Sequence, residues 1–287
     1  MYEAVRDCSY PVNWSCRVLH ISRSAYYKWL RQEPCAREVE NERIGKLVEQ
    51  IHEEHPDKGY RRIRDDLERY HHTPVNDKRV LRICRAKNIR STVKYANHGC
   101  TRSAKSPQYL AENILARNFY AEQPNEKWLT DVTEFKWYCG EEKHKLYLSA
   151  ILDLCDRRIV AYVIRDRNDK PLVFDTFDLA VAANPDAHPL FHSDRGFQYT
   201  SNTFHAKLTS AGMIQSMSRV GKCIDNGPME GFWGILKREC YYGRKFTDRE
   251  TLVQTIENYI RYYNTRRLQR RLGVLTPMEK HALCLAA

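Results

Sequence analysis

The stretch from Asn125 to Glu230 leaves this chain the least freedom. WLTDVTEFKWY alternates apolar and polar residues, the GEEK turn reverses the chain, and KLYLSAILDLCD and RRIVAYVIRDR follow as strand-like runs joined by one short turn. A period of two suits pleated strands and not helices, so three sequential antiparallel strands are predicted. The period then changes. DKPLVFDTFDLAVAAN sets Leu172, Val173, Phe177 and Ala180 at helical spacing behind Asp169 as N-cap. PLFHSD reads as a short buried strand, SNTFHAKLTSAG as a helix ended by Gly212, and MIQSMS as another strand. Strand, strand, strand, helix, strand, helix, strand, helix is the order of an RNase H-like α/β fold.

Three acids stand at the edges of these apolar elements: Asp131 in the first strand, Asp194 leaving the fourth, and Glu230 on a later helix. With Gly227 as N-cap, Pro228 falls at the first helical position, where proline is tolerated, and Glu230 at the third. On a helical wheel Met229, Phe232, Trp233, Leu236 and Cys240 share one side, and Glu230, Gly234, Lys237 and Tyr241 another. One face therefore presents a carboxylate and a lysine across a glycine gap, where a DNA backbone could approach closely. Each acid has an ordinary use as well: Glu230 as a capping or dipole partner, Asp194 as a turn acid before Arg195 and Gly196, Asp131 at a bend. Together they supply what a hard divalent cation needs, oxygen ligands on rigid supports. Metal-dependent phosphoryl transfer on nucleic acid is the resulting expectation. Asp153, Asp156 and Asp225 are the rival acids. His192, two residues before Asp194, either braces that acid or is a packed histidine.

The charge balance agrees with a polyanionic partner. Basic residues exceed acids by 11, and each phosphate neutralised releases counterions. No apolar run is long enough to cross a bilayer, and MYEAVRDCSYPVNW lacks the apolar core of a signal peptide. Ten cysteines without paired spacing read as reduced thiols, and a cytoplasmic, nucleoid-associated location is expected. A zinc site is not expected, because no closely spaced cysteine pair accompanies His52 and His55.

Before Asn125 the pattern is helical. VNWSCRVL, HIS and RSAYYKWLRQ read as two helices around a tight break, with Ser22 as N-cap and Ile21 stapling onto Tyr26. The second turns Arg23, Ser24, Tyr27, Lys28 and Arg31 outward while Tyr26, Trp29 and Leu30 pack. That pattern fits either a helix-turn-helix or a plain helical hairpin. A similar arrangement follows Asn41, with Ile44, Leu47, Val48 and Ile51 on one helix and Ile63 and Leu67 on the next. A third helix, capped by Asn76, buries Val80, Leu81 and Cys84 and leaves Lys78, Arg79, Arg82 and Arg85 free. From Lys78 to Lys105 there are nine basic residues and no acid, a composition that suits phosphate contact better than a mixed solvated face. The expected division is a helix-turn-helix over 1–36, a second helical DNA-binding module over 37–100, a basic linker over 101–125, the RNase H-like core over 126–245, and a helical tail over 246–287. In that tail Leu252, Ile256, Tyr259 and Tyr263 form the inward stripe. Arg266, Arg267, Arg270 and Arg271 either track DNA or solvate its end.

WLTDVTEF, HSDRGFQYTS, DNGPMEGFWGILKRE and YNTRRLQRRLGVLTPMEK, with CRVLHISRSAYYKW and KGYRRIRDDL upstream, resemble the bacterial insertion-sequence transposases that share the retroviral integrase catalytic core. The resemblance is to the downstream-frame (OrfB) subunit of two-frame elements and covers nearly the whole chain. It implies that Asp131, Asp194 and Glu230 form a DDE triad holding two Mg²⁺ ions, with Mn²⁺ as a substitute. It further implies cleavage at the element ends and transfer of the freed 3′-hydroxyl into target DNA, with Lys237 as a phosphate contact. Partners implied are the terminal repeats, target DNA, an upstream-frame (OrfA) product that can be joined by frameshifting, and further copies of the chain on DNA. Gly227 and Gly231 depart from the alanine and serine of the family pattern. An inactive DNA-binding regulator and a plain RNase H-like nuclease are the rival readings.

Overall fold

A computed structural model describes residues 1–31, 33–93 and 107–286. It opens with three short helices, α1 (Tyr2–Asp7), α2 (Val12–Val18) and α3 (Arg23–Leu30), of which the sequence predicts the last two. Ser22 caps α3 by accepting from the Ala25 amide at 3.1 Å, and Ile21 packs with Tyr26 as a staple would. Trp29 stacks on Tyr2 of α1, 5.5 Å between ring centroids. Leu30, predicted to pack, is 49% exposed: α1 meets the Trp29 side of the helix and leaves the Leu30 side uncovered.

The second module comprises α4 (Ala36–Glu54), α5 (Tyr60–Tyr70) and α6 (Asp77–Ala86). The first of these begins well before Asn41, because the Glu38 carboxylate accepts from the Cys35 amide at 2.8 Å and completes a capping box. Ile44, Val48, Ile51, Ile63, Leu67, Val80, Ile83 and Cys84 form one core; Leu81 is only half-buried. Asn76 caps α6 by accepting from the Lys78 amide at 2.7 Å. Lys78, Arg82 and Arg85 are exposed along its outer side. Arg79 is not free as predicted: it donates to Asn41 Oδ1 at 2.8 Å and pairs with Glu40 at 2.8 Å, partners that a local periodicity cannot disclose.

The part of the expected linker from 101 to 106 lies outside the described residues, as do Lys94 and Cys100. Residues 107–125 do not behave as a linker. Leu115 is buried and its amide donates to Ser216 Oγ at 3.1 Å, the Met217 amide donates to the Glu112 carbonyl, and Tyr109 stacks on His205.

The core elements are β1 (Lys127–Cys139), β2 (Glu142–Asp153), β3 (Ile159–Arg165), α7 (Lys170–Ala183), β4 (Leu190–Ser193), α8 (Asn202–Ser210), β5 (Ile214–Met217), α9 (Gly227–Leu236), α10 (Arg249–Thr265) and α11 (Pro277–Leu285). The sheet order is β3-β2-β1-β4-β5, antiparallel among the first three and parallel from β1 through β4 to β5. Side chains alternate across it. Leu129 and Phe135 face α9 and α10, while Trp128, Ile151 and Phe191 face α7 and α8. This is the predicted RNase H-like order. The helical tail is not a separate body, however: Leu252, Ile256, Tyr259 and Tyr263 bury as predicted, against the same sheet face as α9. Helix α11 is not foreseen, although its capping box of Thr276 and Glu279 with Pro277 at the first position is legible as TPME. Among the described residues no helix is long and apolar enough to cross a membrane.

Candidate active site

Asp131 lies on the central strand and pairs across to Ala150 of β2. On its other side β1 runs parallel to β4, and the last pair in that register is Leu129 with His192. Two residues beyond that pair come Asp131, still on β1, and Asp194, one residue past the end of β4, and the charge of Asp194 acts on the Asp131 carboxyl. Both side chains are held. Asp131 Oδ1 accepts from the Val132 amide at 2.8 Å and Oδ2 from the Trp233 indole at 3.1 Å. Asp194 Oδ1 accepts from the Gly196 amide at 2.8 Å. A Cβ on Gly196 would stand 3.0 Å from that oxygen and from Gln198 Oε1, so the loop needs glycine for close approach. Beneath the pair Tyr199 is buried, its hydroxyl 3.2 Å from Thr130 Oγ1.

Glu230 comes from α9. That helix starts one residue earlier than predicted, with Asn226 as N-cap, so Glu230 is the fourth helical residue. The shift is tied to Asn226, whose side chain does not cap the helix but donates to the Thr130 carbonyl at 3.0 Å. Met229, Phe232, Trp233 and Leu236 are buried as the wheel predicts, and Glu230 is exposed. Cys240 is buried as predicted too, but the wheel fails at Tyr241, because Lys237–Tyr241 forms a π turn, whose extra residue per turn changes the angle between later side chains. The Tyr241 hydroxyl consequently bonds both the amide and the carbonyl of Lys136 on β1 and does not share the Glu230 face. Lys237 Nζ lies 5.2 Å from the Phe135 ring centroid, and Arg238 fills the space over Gly234, where its guanidinium would stand 3.1 Å from an added Cβ.

Electrostatics separates Asp131 and Asp194 from Asp225 but not from Asp153, which burial and the charge of Asp156 also raise, to about 6. Burial pushes the Asp131 carboxyl up to about 8, and the charges of Asp194 and then Glu230 add to the shift against the pull of its hydrogen bonds. Asp131 keeps some exposed surface while lying at the densely surrounded base of the site. Burial also raises Asp194, against the Gly196 hydrogen bond. Asp225 is the opposite case: hydrogen bonds from Arg219 and Arg117 hold it well below the usual carboxylate range. It has no exposed surface because those guanidiniums, themselves partly exposed, cover it. Asp153 accepts from the Asn125 and Cys155 amides and the Trp128 indole, and Asp156 pairs with His281 and Arg158. The three rivals are thus already engaged.

His192 does not brace Asp194. Its ring lies between Ser216 Oγ at 2.9 Å and Ser218 Oγ at 3.1 Å, on and just after β5, and burial lowers it to about 4. Of the outlying residues expected at DNA, Arg23, Tyr27, Lys28 and Arg266 are exposed. Arg267 is not available to DNA: it is bound to Glu239, its Nη2 2.8 Å from Oε1. Arg270 is likewise held by Asp65 and Asp77. Sequence reasoning missed the bonds of Trp233 and Asn226 to β1, since Trp233 reads as a packing position and Asn226 falls just before a helix whose expected N-cap is Gly227.

Among the described residues no three acid, histidine or cysteine side chains are drawn together closely enough to hold a metal ion as they stand. The chemistry of Asp131, Asp194 and Glu230 nonetheless suits hard cations. All donors are carboxylate oxygens, Asp131 stands on β1 and Asp194 just past the end of the neighbouring β4, and Asp131 carries an excess of neighbouring negative charge that a divalent ion would offset.

Comparison with known proteins gives a consistent pattern. An integrase core domain family matches residues 121–223 and a second integrase core domain family residues 230–281, while an HTH-like domain family matches 39–97. The chain is 36% identical to InsK of insertion sequence IS150 from Escherichia coli K12, named as a putative transposase, over 94% of this chain and 93% of that one. It is 42% identical to an uncharacterized transposase-like protein of Haemophilus influenzae Rd, over 71% of this chain and 92% of that one. With the transposase InsF of IS3A from Escherichia coli K12 it shares 30% identity over 94% of each. A solved structure of a simian T-cell lymphotropic virus intasome with PP2A regulatory subunit B56 gamma superposes with a TM-score of 0.48 at 18% identity, covering 83% of this chain and 74% of that one.

Proposed function

The chain belongs to the bacterial insertion-sequence transposases with an integrase core, the group that includes those of IS150 and IS3, and on that premise we propose that Asp131, Asp194 and Glu230 are its metal-holding acids. The protein is a DDE-type DNA transposase that cleaves at element ends and joins the resulting 3′-hydroxyl to DNA, and its core implies dependence on a divalent metal. The observation that carries the assignment is the parallel register of β1 and β4 that ends two residues before Asp131 and Asp194, with the Asp131 carboxyl raised to about 8 by burial and by the other two acids. Two Mg²⁺ ions are the proposed occupants, with Mn²⁺ as a substitute.

When bound, such ions would activate the attacking oxygen and offset charge on the leaving oxygen. The residues of the chain do the rest. Asp131 and Asp194 present oxygens whose orientation is fixed by the Val132, Trp233 and Gly196 donors. Glu230, exposed on α9, would complete the set of acids from the solvent side. The attacking groups, water and then the DNA 3′-hydroxyl, come from outside the protein, so no serine, tyrosine or cysteine nucleophile is called for.

For DNA contact we assign the exposed Arg23, Tyr27 and Lys28 of α3, Arg82 and Arg85 of α6 with Lys78 at its start, and Arg266, together with the half-buried Lys237 just after α9. Arg79 and Arg267 are withdrawn from that set by their ion pairs. The helical modules before residue 94 would bind the terminal repeats and the core would engage target DNA. An upstream-frame product, separate or fused by frameshifting, and further copies of the chain would complete the assembly at the nucleoid in the cytoplasm. The test is direct. Asp131→Asn, Asp194→Asn and Glu230→Gln should each abolish cleavage and strand transfer in Mg²⁺ while duplex binding persists in a gel-shift assay. Strand transfer retained by any one of them removes that residue from the triad.

A further inference from the structure

Two side chains, the N-cap Asn226 and Trp233 in the second half of α9, tie that helix to β1, and they do so on either side of Glu230. Asn226 Nδ2 donates to the Thr130 carbonyl at 3.0 Å, and Trp233 Nε1 donates to Asp131 Oδ2 at 3.1 Å. Residues 226 and 233 are about two helical turns apart and so share a side of the helix, with Glu230 between them and about 40–60° round. Their acceptors belong to consecutive residues of one strand. One bond of this kind would leave the helix able to pivot; two fix both its rotation and its translation along β1. We propose that Asn226 and Trp233 are positioning residues that set the separation between the Asp131 and Glu230 carboxylates, and with it the affinity of the site for divalent cations. The proposal rests on the reading of Asp131 and Glu230 as metal-holding acids.

Two further features support the same role. Both residues are buried, and Asn226 Oδ1 lies in the interior with no hydrogen-bond partner. A residue kept only for packing would avoid an unpaired buried acceptor, whereas the amide is needed for its N–H to reach Thr130. The Trp233 indole also belongs to the packed stripe with Phe232, at 5.1 Å between ring centroids, so its N–H is held in place by the core. The donor therefore reaches the Asp131 oxygen already oriented. A donor fixed in this way selects one rotamer of a ligating carboxylate, and loss of such an outer partner typically weakens metal binding by about 10–100-fold.

The full-length protein is titrated with MnCl₂ in the absence of DNA, following the thermal midpoint and, separately, bound Mn²⁺ by electron paramagnetic resonance. Asp131→Asn and Glu230→Gln should remove the metal-induced stabilisation. If they respond to MnCl₂ as the wild type does, the metal-site assignment fails and the positioning role falls with it. If they lose the response, Trp233→Phe and Asn226→Leu decide the positioning role. Each should raise half-saturating MnCl₂ about tenfold, and values within about twofold of wild type overturn the proposal. A purely structural role would move the midpoint in EDTA and leave half-saturation unchanged. Should Trp233→Phe fail to fold, 3-benzothienylalanine at position 233 keeps the ring shape and replaces the N–H by sulfur. Raised half-saturation in that protein supports the role, and wild-type half-saturation overturns it.

Discussion

Replacing Glu239 should cost more stability than any other single change near the DNA-binding module. The carboxylate lies beyond α9, in the π turn, and gathers groups from three elements: Arg267 Nη2 at 2.8 Å and Nε at 3.0 Å, Arg62 Nη1 from α5 at 2.9 Å, and the Tyr259 hydroxyl at 2.9 Å. Side-chain exposure is 8% for Glu239, 12% for Arg267 and 20% for Arg62. Glu239→Ala leaves Arg267 a nearly buried cation without its acid, a change that generally costs ~3–5 kcal/mol. Arg62 keeps Asp57 at 2.9 Å, which places the expected loss at the lower end, ~3 kcal/mol. Urea denaturation of the full chain at pH 7, followed by far-ultraviolet circular dichroism and tryptophan fluorescence, measures it. A double-mutant cycle with Arg267→Ala should show coupling of at least ~1.5 kcal/mol. The pH dependence has a definite sign. Burial pushes the Glu239 carboxyl up, but Arg267 and Arg62 outweigh it and the net position is below the usual 4.5. Its contribution is therefore fully present above that value and is lost as pH falls below it through the folded-state position. A loss under ~1 kcal/mol at pH 7, or strict additivity in the cycle, would refute the reasoning.

The site itself yields two further expected outcomes. His192 is held near 4 by burial, against about 6.5 in an unfolded chain. The unfolded state takes the proton first, so stability should fall by up to ~3 kcal/mol as pH drops from about 6.5 to about 4; His192→Gln should flatten that slope in urea titrations, and an imidazole that protonates above about pH 6 by NMR contradicts the assignment. Gly196→Ala should reduce strand transfer by more than about tenfold, the scale of a misplaced reacting group, without weakening duplex binding. The added methyl would press on Asp194 Oδ1 and Gln198 Oε1 at 3.0 Å, and unchanged transfer would show that the loop yields freely.

The strand order, the N-caps at Ser22, Asn76 and Asp169, and the placement of the three acids were legible because each depends on local periodicity or local hydrogen bonding. What escaped depends on partners distant in sequence. Arg79 and Arg267 read as free cations until Glu40 and Glu239 are brought to them by packing. Residues 107–125 look aperiodic because their anchors, Ser216 and Asp225, lie about a hundred residues further along the chain. The one-residue slip at Gly227 and the misplaced Tyr241 share a cause. A wheel drawn at a constant angle cannot register an asparagine that bonds outward to β1, nor the extra residue in a π turn.

These misplacements fall where α9 meets the rest of the molecule. Glu230 near the start of the run from Gly227 to Tyr241 adds its charge to that of the sheet acids, and Glu239 near its end is bonded to α5 of the HTH-like module and to the segment after α10. That module is tied to the same segment by Arg270, which reaches both Asp65 and Asp77, and to α11 by the pair of Arg69 with Glu279. Arg270 is more exposed than Arg267 and correspondingly weaker as an anchor, because solvent screens its charges. A displacement of α5 relative to the core must therefore break the Arg62–Glu239 contact or carry the C-terminal half of the helical run with it. In the second case the strain reaches β1 first at Lys136, through the Tyr241 hydroxyl, and then beside Asp131, through Trp233 and the N-cap Asn226.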